Sequence, residues 1–177
     1  DISQGEFFGG SIWALIKCIK SPFKTLMKMG VLEEYMFGDT KSNLLCHQIK
    51  DKYYNDVPYL DIDPYLGMFE RVQKFFTESK SEDEVDALRH AFYLKVGTQV
   101  TAEEFEKGSD IWRKSTLIKM LKEWEWSAEK IEKLNQYSNW QMMHKVDLGN
   151  RINKILMASY KNISEKNKTL DPSESLI

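Results

Sequence analysis

From Asn139 to Tyr160 the chain runs NWQMMHKVDLGNRINKILMASY without a proline, and the stretch reads as one long helix. Trp140, His144, Asp147 and Arg151 follow one another at steps of four, three and four. That spacing stacks them along one stripe. Side chains capable of chemistry on one line need a facing surface. A second His-bearing helix, from Glu82 to Val96, is the candidate to supply it.

Helix punctuation recurs along the rest of the chain. Residues 1 to 10 are Gly-rich and read as an arm that pins Phe7 and Phe8 onto the body. The run IWALIKCIK after Ser11 is apolar almost all round and is expected to be buried. Ser21-Pro22 fits an N-cap with Pro in the first turn. The helix it opens, Phe23 to Met29, is expected to stop at Gly30, with a short turn Val31 to Phe37 closed by Gly38. Thr40 is the expected cap of the next helix, which carries Leu44, Leu45, Ile49 and Tyr53. Asp63-Pro64 opens another, with a core stripe of Tyr65, Phe69, Val72 and Phe76. Asp61 and Asp63 lack the further oxygen ligands of a calcium loop.

Ser81 with Glu84, and Thr101 with Glu104, have the capping-box spacing. The first box opens EDEVDALRHAFYLKVG, with Val85, Leu88, Phe92 and Val96 as its apolar stripe. Ile111 to Trp124 has a helical period, and Ser127 caps one more helix. Alternation at period two is sustained nowhere, and no heptad pattern appears. The expectation is an all-α fold, an irregular orthogonal assembly of seven to eight helices. It forms a single domain over residues 1–163, with a polar, mobile tail at 164–177. The hydrophilic run Glu78 to Asp83 reads as a loop within that domain.

The formal net charge of -2 over 177 residues argues against a general nucleic-acid binder. Cys18 and Cys46 form one disulfide or remain two thiols. Asn162 and Asn167 each open an N-glycosylation triplet, and the chain starts at Asp1. Together these hints are compatible with a processed, secreted or exported glycoprotein. No apolar run approaches the roughly 20 residues of a spanning helix. Between Trp13 and Met29, however, Lys17, Lys20, Lys24 and Lys28 interleave with apolar residues. That pattern suits peripheral membrane or partner contact, or a core helix whose lysines snorkel.

The sharpest constellation sets Asp86, Arg89 and His90 on one helix against His144, Asp147, Asn150 and Arg151 on the other. A carboxylate behind an imidazole fixes its tautomer and raises its basicity. Two such dyads, Asp86 with His90 and Asp147 with His144, would be catalytic if they met. Arg89, Asn150 and Arg151 would then bind beside them. If they do not meet, they are separate surface or core pairs. Gly149 within the long helix implies a close backbone approach or a bend. Trp124, Trp126 and Trp140 make a candidate binding groove. Trp124 and Trp126, two apart, cannot both face one core from within a helix, so one of them is expected to be exposed or at a helix end. There is no nucleophile elbow, no phosphate-cradling Gly loop and no metal motif, so no metal and no cofactor are expected.

The run Asp86-Ala87-Leu88-Arg89-His90-Ala91-Phe92-Tyr93, followed by Asp147-Leu148-Gly149-Asn150, resembles a helical domain of unknown function in bacterial secreted and toxin-associated proteins. That family pairs Asp-x-x-Arg-His-Ala with a later Asp-Leu-x-Asn. The resemblance covers two short helix pieces and implies one polar site lined by Asp86, Arg89, His90, Asp147 and Asn150. Two functions are therefore weighed. One is a non-catalytic helical protein that binds a protein partner or small apolar ligand through an aromatic and Lys-rich surface. The other is a small hydrolase or toxin-like enzyme working at His90 and His144.

Overall fold

The computed structural model describes residues 3–38, 44–55 and 63–171. Among them every regular element is helical: α1 (Gln4–Cys18), α2 (Pro22–Phe37), α3 (Leu45–Tyr54), α4 (Pro64–Ser79), α5 (Glu82–Val96), α6 (Ala102–Lys107), α7 (Trp112–Glu123), α8 (Ala128–Asn135) and α9 (Met142–Asn167). A 3-10 turn at Tyr137–Asn139 precedes α9. The all-α expectation holds, with nine α-helices among the described residues against the seven or eight expected. The expected cap at Thr40, Asp61 and the end of the tail lie outside the described residues. The helices gather into two compact units, Asp1–Phe92 with Gly149–Ile177, and Tyr93–Leu148.

In the first unit, the Gly-rich start is helix and not an arm. Phe7 is buried with its ring 5.2 Å from that of Tyr35, and Phe8 stacks on Tyr160 at 6.1 Å. The α1 residues after Ser11 are buried on one face only, through Ser11 and Ala14. α2 runs straight through Gly30. A Cβ there would lie 2.4 Å from Val72 Cγ1, so the missing side chain is a close-packing device against α4 and not a stop. α4 is capped as expected: Asp63 Oδ1 accepts from the Tyr65 and Leu66 amides at 2.8 and 3.1 Å. Phe69, Val72 and Phe76 are fully buried, and Phe69 stacks on Phe92 at 3.9 Å.

One polar group sits inside this core. Glu33 of α2 is 1% exposed. Its Oε1 accepts from Lys80 Nζ at 2.5 Å and from Asn162 Nδ2 at 2.7 Å, which ties α2, the end of α4 and α9 together. α9 continues four residues past Ile163, and Asn167 is buried.

The second unit is organised by a hydrogen-bonded triangle. Tyr93 OH donates to Asn135 Oδ1 at 2.6 Å, Asn135 Nδ2 donates to the Val100 carbonyl at 2.8 Å, and the Val100 amide donates to Tyr93 OH at 3.3 Å. Both halves of the Thr101/Glu104 capping box form. α7 ends in a Schellman turn: the Trp126 amide reaches the Leu121 carbonyl and the Glu125 amide that of Lys122, each at 3.0 Å. Glu125 takes φ 57°, a left-handed conformation usually left to Gly. That turn folds Trp126 back onto Trp124, edge to face at 5.2 Å.

Two glycines have opposite surroundings. Gly30→Ala drives a methyl into Val72 and is expected to cost about 1–3 kcal/mol by overpacking. Gly149 has nothing within 4 Å of a built Cβ, so close approach does not explain it. Gly149→Ala is expected to stabilise by about 1 kcal/mol through helix propensity alone. Urea unfolding of the two variants checks both signs.

Burial pushes the Glu84 carboxyl up, but the Ser81 amide and hydroxyl and the Lys80 and Lys154 charges outweigh it, leaving the folded value below the ordinary 4.5. Ionised Glu84 therefore stabilises the fold at neutral pH. That contribution fades as pH drops from 4.5 toward the folded value. Glu84→Gln should flatten this acid limb, read as melting temperature against pH.

Candidate functional site

The polar residues that α5 and α9 bring together lie in the first unit. His90 is 9% exposed. Its Nδ1 stands 2.7 Å from the Asp86 backbone oxygen and 3.2 Å from Asp86 Oδ2. A carbonyl oxygen only accepts, so Nδ1 carries the hydrogen and the neutral ring keeps its lone pair on Nε2. Arg151 holds the acidic side of the cluster. Its Nη2 donates to Asp83 Oδ1 at 2.7 Å, to the Asp83 carbonyl at 3.1 Å and to Asp86 Oδ2 at 3.2 Å. Of the proposed constellation, Asp86 thus contacts both His90 and Arg151. Sequence reasoning missed Asp83, although Asp83, Asp86 and His90 follow at steps of three and four. Arg89 Nη1 lies 3.6 Å from Glu82 Oε1, and Asn150 is exposed.

His144 and Asp147 belong to the second unit, and both are exposed. The two histidines therefore fall in different units. Trp140 is not on the helical stripe. The chain is extended there, at φ -60° and ψ 144°, because the 3-10 turn ends just before it. Its indole donates to the Lys133 carbonyl at 2.7 Å, and its ring meets His144 edge-on at 6.3 Å. Trp124 and Trp126 are 7% and 5% exposed, so they are core and not a binding groove. The reason is the helix end between them, which lets both rings turn inward.

Other hints resolve locally. Cys18 and Cys46 are free thiols. Asn162 spends its amide on buried Glu33, and Asn167 is 1% exposed, which leaves neither presented for glycosylation. No described helix is long and apolar enough to cross a membrane. Among the described residues no group of three or more His, Cys, Asp or Glu side chains could hold a metal ion. A groove of about 540 Å³ in the first unit carries both signs of charge, with Lys52, Glu70, Arg71 and Lys74 on its walls. There Arg71 forms a two-pronged pair with Glu34 at 2.7 and 2.8 Å.

Fold and site define an all-helical module whose acidic and basic side chains neutralise one another across helices. The sequence matches the family described as adenylate cyclase, class-I, second domain, over residues 2–176. It is 32% identical to an adenylate cyclase of Escherichia coli O6:H1 over 163 residues, which is 92% of this chain and 19% of that protein. An adenylate cyclase of Pasteurella multocida is 32% identical over 164 residues, 92% of this chain and 20% of its own length. One from Yersinia intermedia is 31% identical over 163 residues, with 92% and 19% covered. No solved structure matches. The chain belongs to the class-I adenylate cyclase family, and it spans about a fifth of the length of the curated relatives it matches.

This corrects several expectations. The Asp-x-x-Arg-His-Ala run is a segment of a cyclase domain, not of a toxin-associated domain of unknown function. A non-catalytic binding protein and a hydrolase or toxin-like enzyme both give way, because the relatives are named as enzymes of one kind, adenylate cyclases. An exported glycoprotein gives way with them, since the matches are to bacterial adenylate cyclases and not to a secreted family.

Arg151→Gln removes charge from a bond shared among three acceptors at a site with Arg151 28% exposed. It is expected to cost about 1 kcal/mol. In a double-mutant cycle by urea unfolding, Asp83→Asn should add little once Arg151 is changed.

Proposed function

We propose that this chain is the helical second domain of a longer class-I adenylate cyclase, and that the longer polypeptide converts ATP to 3′,5′-cyclic AMP and pyrophosphate. The observation that carries this reading is the family match across residues 2–176. In that reaction the ribose 3′-hydroxyl gives up its proton to a base and its oxygen bonds to the α-phosphorus, while the bond from that phosphorus to the bridging oxygen breaks and pyrophosphate leaves with its electrons. Charge builds on the phosphate oxygens and calls for cations placed beforehand.

In the first unit, several cations are committed to carboxylates: Arg151 to Asp83 and Asp86, Arg71 to Glu34, and Lys80 to Glu33. Those pairs hold helices in register. Their contribution to turnover is the shape of the domain.

The test is the full-length protein that carries this domain, assayed for cyclic AMP formed from ATP with magnesium supplied. Cyclic AMP formation is expected. In the same assay, Arg151→Gln should lower the rate only as far as it lowers the folded fraction. A folded full-length protein that forms no cyclic AMP overturns the reading.

A further inference from the structure

On α1 and at its C-cap, Ile19, the side chains of Ile12, Trp13, Ile16 and Ile19 are 40%, 59%, 59% and 91% exposed. Steps of four and three line up Ile12, Ile16 and Ile19, with Trp13 beside them. The opposite face of α1 is spent on the core through Phe7, Ser11 and Ala14. Lys17 holds its ammonium 4.7 Å over the Trp13 ring, and Lys20 and Lys24 stand exposed nearby in sequence. An apolar stripe edged with cations is the kind of surface that marks an interaction site.

We infer that this stripe is the seat of the first domain of the same polypeptide, a surface with an apolar centre and an acidic rim. The inference rests on family membership and not on the cyclase activity. An anionic bilayer, a second copy and a neighbouring domain would each suit the chemistry. The neighbouring domain is favoured by what lies outside this chain in the relatives. The matched region is a second domain and only 19–20% of their length, so most of their surface belongs to other stretches of chain.

In a polypeptide that carries both domains, covalent linkage raises the concentration of one surface at the other, up to the order of millimolar for a short linker, which favours a patch of a few side chains staying covered. Contacts between domains of one chain commonly bury about 600–1,500 Å².

Hydroxyl-radical footprinting of Trp13 and Ile16 tests the inference, with the full-length protein compared with the 177-residue chain. Oxidation of Trp13 should fall about fivefold in the full-length protein, as a half-exposed ring becomes interface core. The paired substitution Ile16→Asp and Ile19→Asp should restore it. Both residues are exposed, so the melting temperature of the 177-residue chain should not change, which separates undocking from misfolding. Equal oxidation in the two proteins overturns the inference. So does sedimentation of the full-length protein with phosphatidylserine vesicles that the paired substitution abolishes, or a dimer that it dissolves. None of these readouts uses cyclic AMP, so the inference and the activity reading can fail separately.

Discussion

A buried carboxylate governs the first unit. Glu33 lies in the packed layer with Lys80 8% exposed beside it, and together with Asn162 it joins three helices that are far apart in sequence. Desolvating an ion pair costs several kcal/mol per ion, and good geometry with extra hydrogen bonds is what offsets that. Here one oxygen receives both donors, and Glu33 Oε2 has no hydrogen-bond partner among the described residues. The arrangement fixes register more than it adds stability. Leu26, Met27, Phe69 and Ile163 could slide past one another as grease, whereas the carboxylate has one place where Lys80 and Asn162 both reach it. The close approach at Gly30 works toward the same end, since α2 and α4 can come that near only where a side chain is missing.

Much of the fold was legible because its signals are local. The Asp63-Pro64 cap, the Thr101/Glu104 box, the helix start marked by Ser81 and Glu84 and the Phe69–Val72–Phe76 stripe need no knowledge of the rest of the chain. Gly30 and the Gly-rich start misled for one reason: glycine lowers helix propensity by about 1 kcal/mol, and tertiary contact overrides that. In the first case the contact is with Val72, in the second with Tyr35 and Tyr160. On one helix the Trp124 and Trp126 rings could not share a core, and the expected helix end beside them is what lets both turn inward. A left-handed Glu125 is a poor guess from sequence, yet it is what makes the two rings compatible.

Half of the polar cluster was readable by the same token. Asp86 and His90 sit four apart on one helix, so their contact is a matter of geometry. That Arg151 comes to meet them follows from the packing of α5 and α9, which no spacing reveals. The family was not legible from motifs. Its identity is spread thinly over 92% of the chain, at 31–32%, with no short phosphate-binding signature to concentrate it. A two-motif likeness sampled too little of that pattern and pointed to the wrong relatives.

The tryptophans are unevenly shared. Trp112, Trp124, Trp126 and Trp140 belong to the second unit, and only Trp13, more than half in water, belongs to the first. The first unit keeps its own interior in Phe, Met and Leu, which are nearly silent in fluorescence. The protein therefore labels itself: blue emission from the edge-to-face indole pair reports on one unit, while the iodide-quenchable red component reports on the opening helix of the other. Light alone can then tell which half melts first.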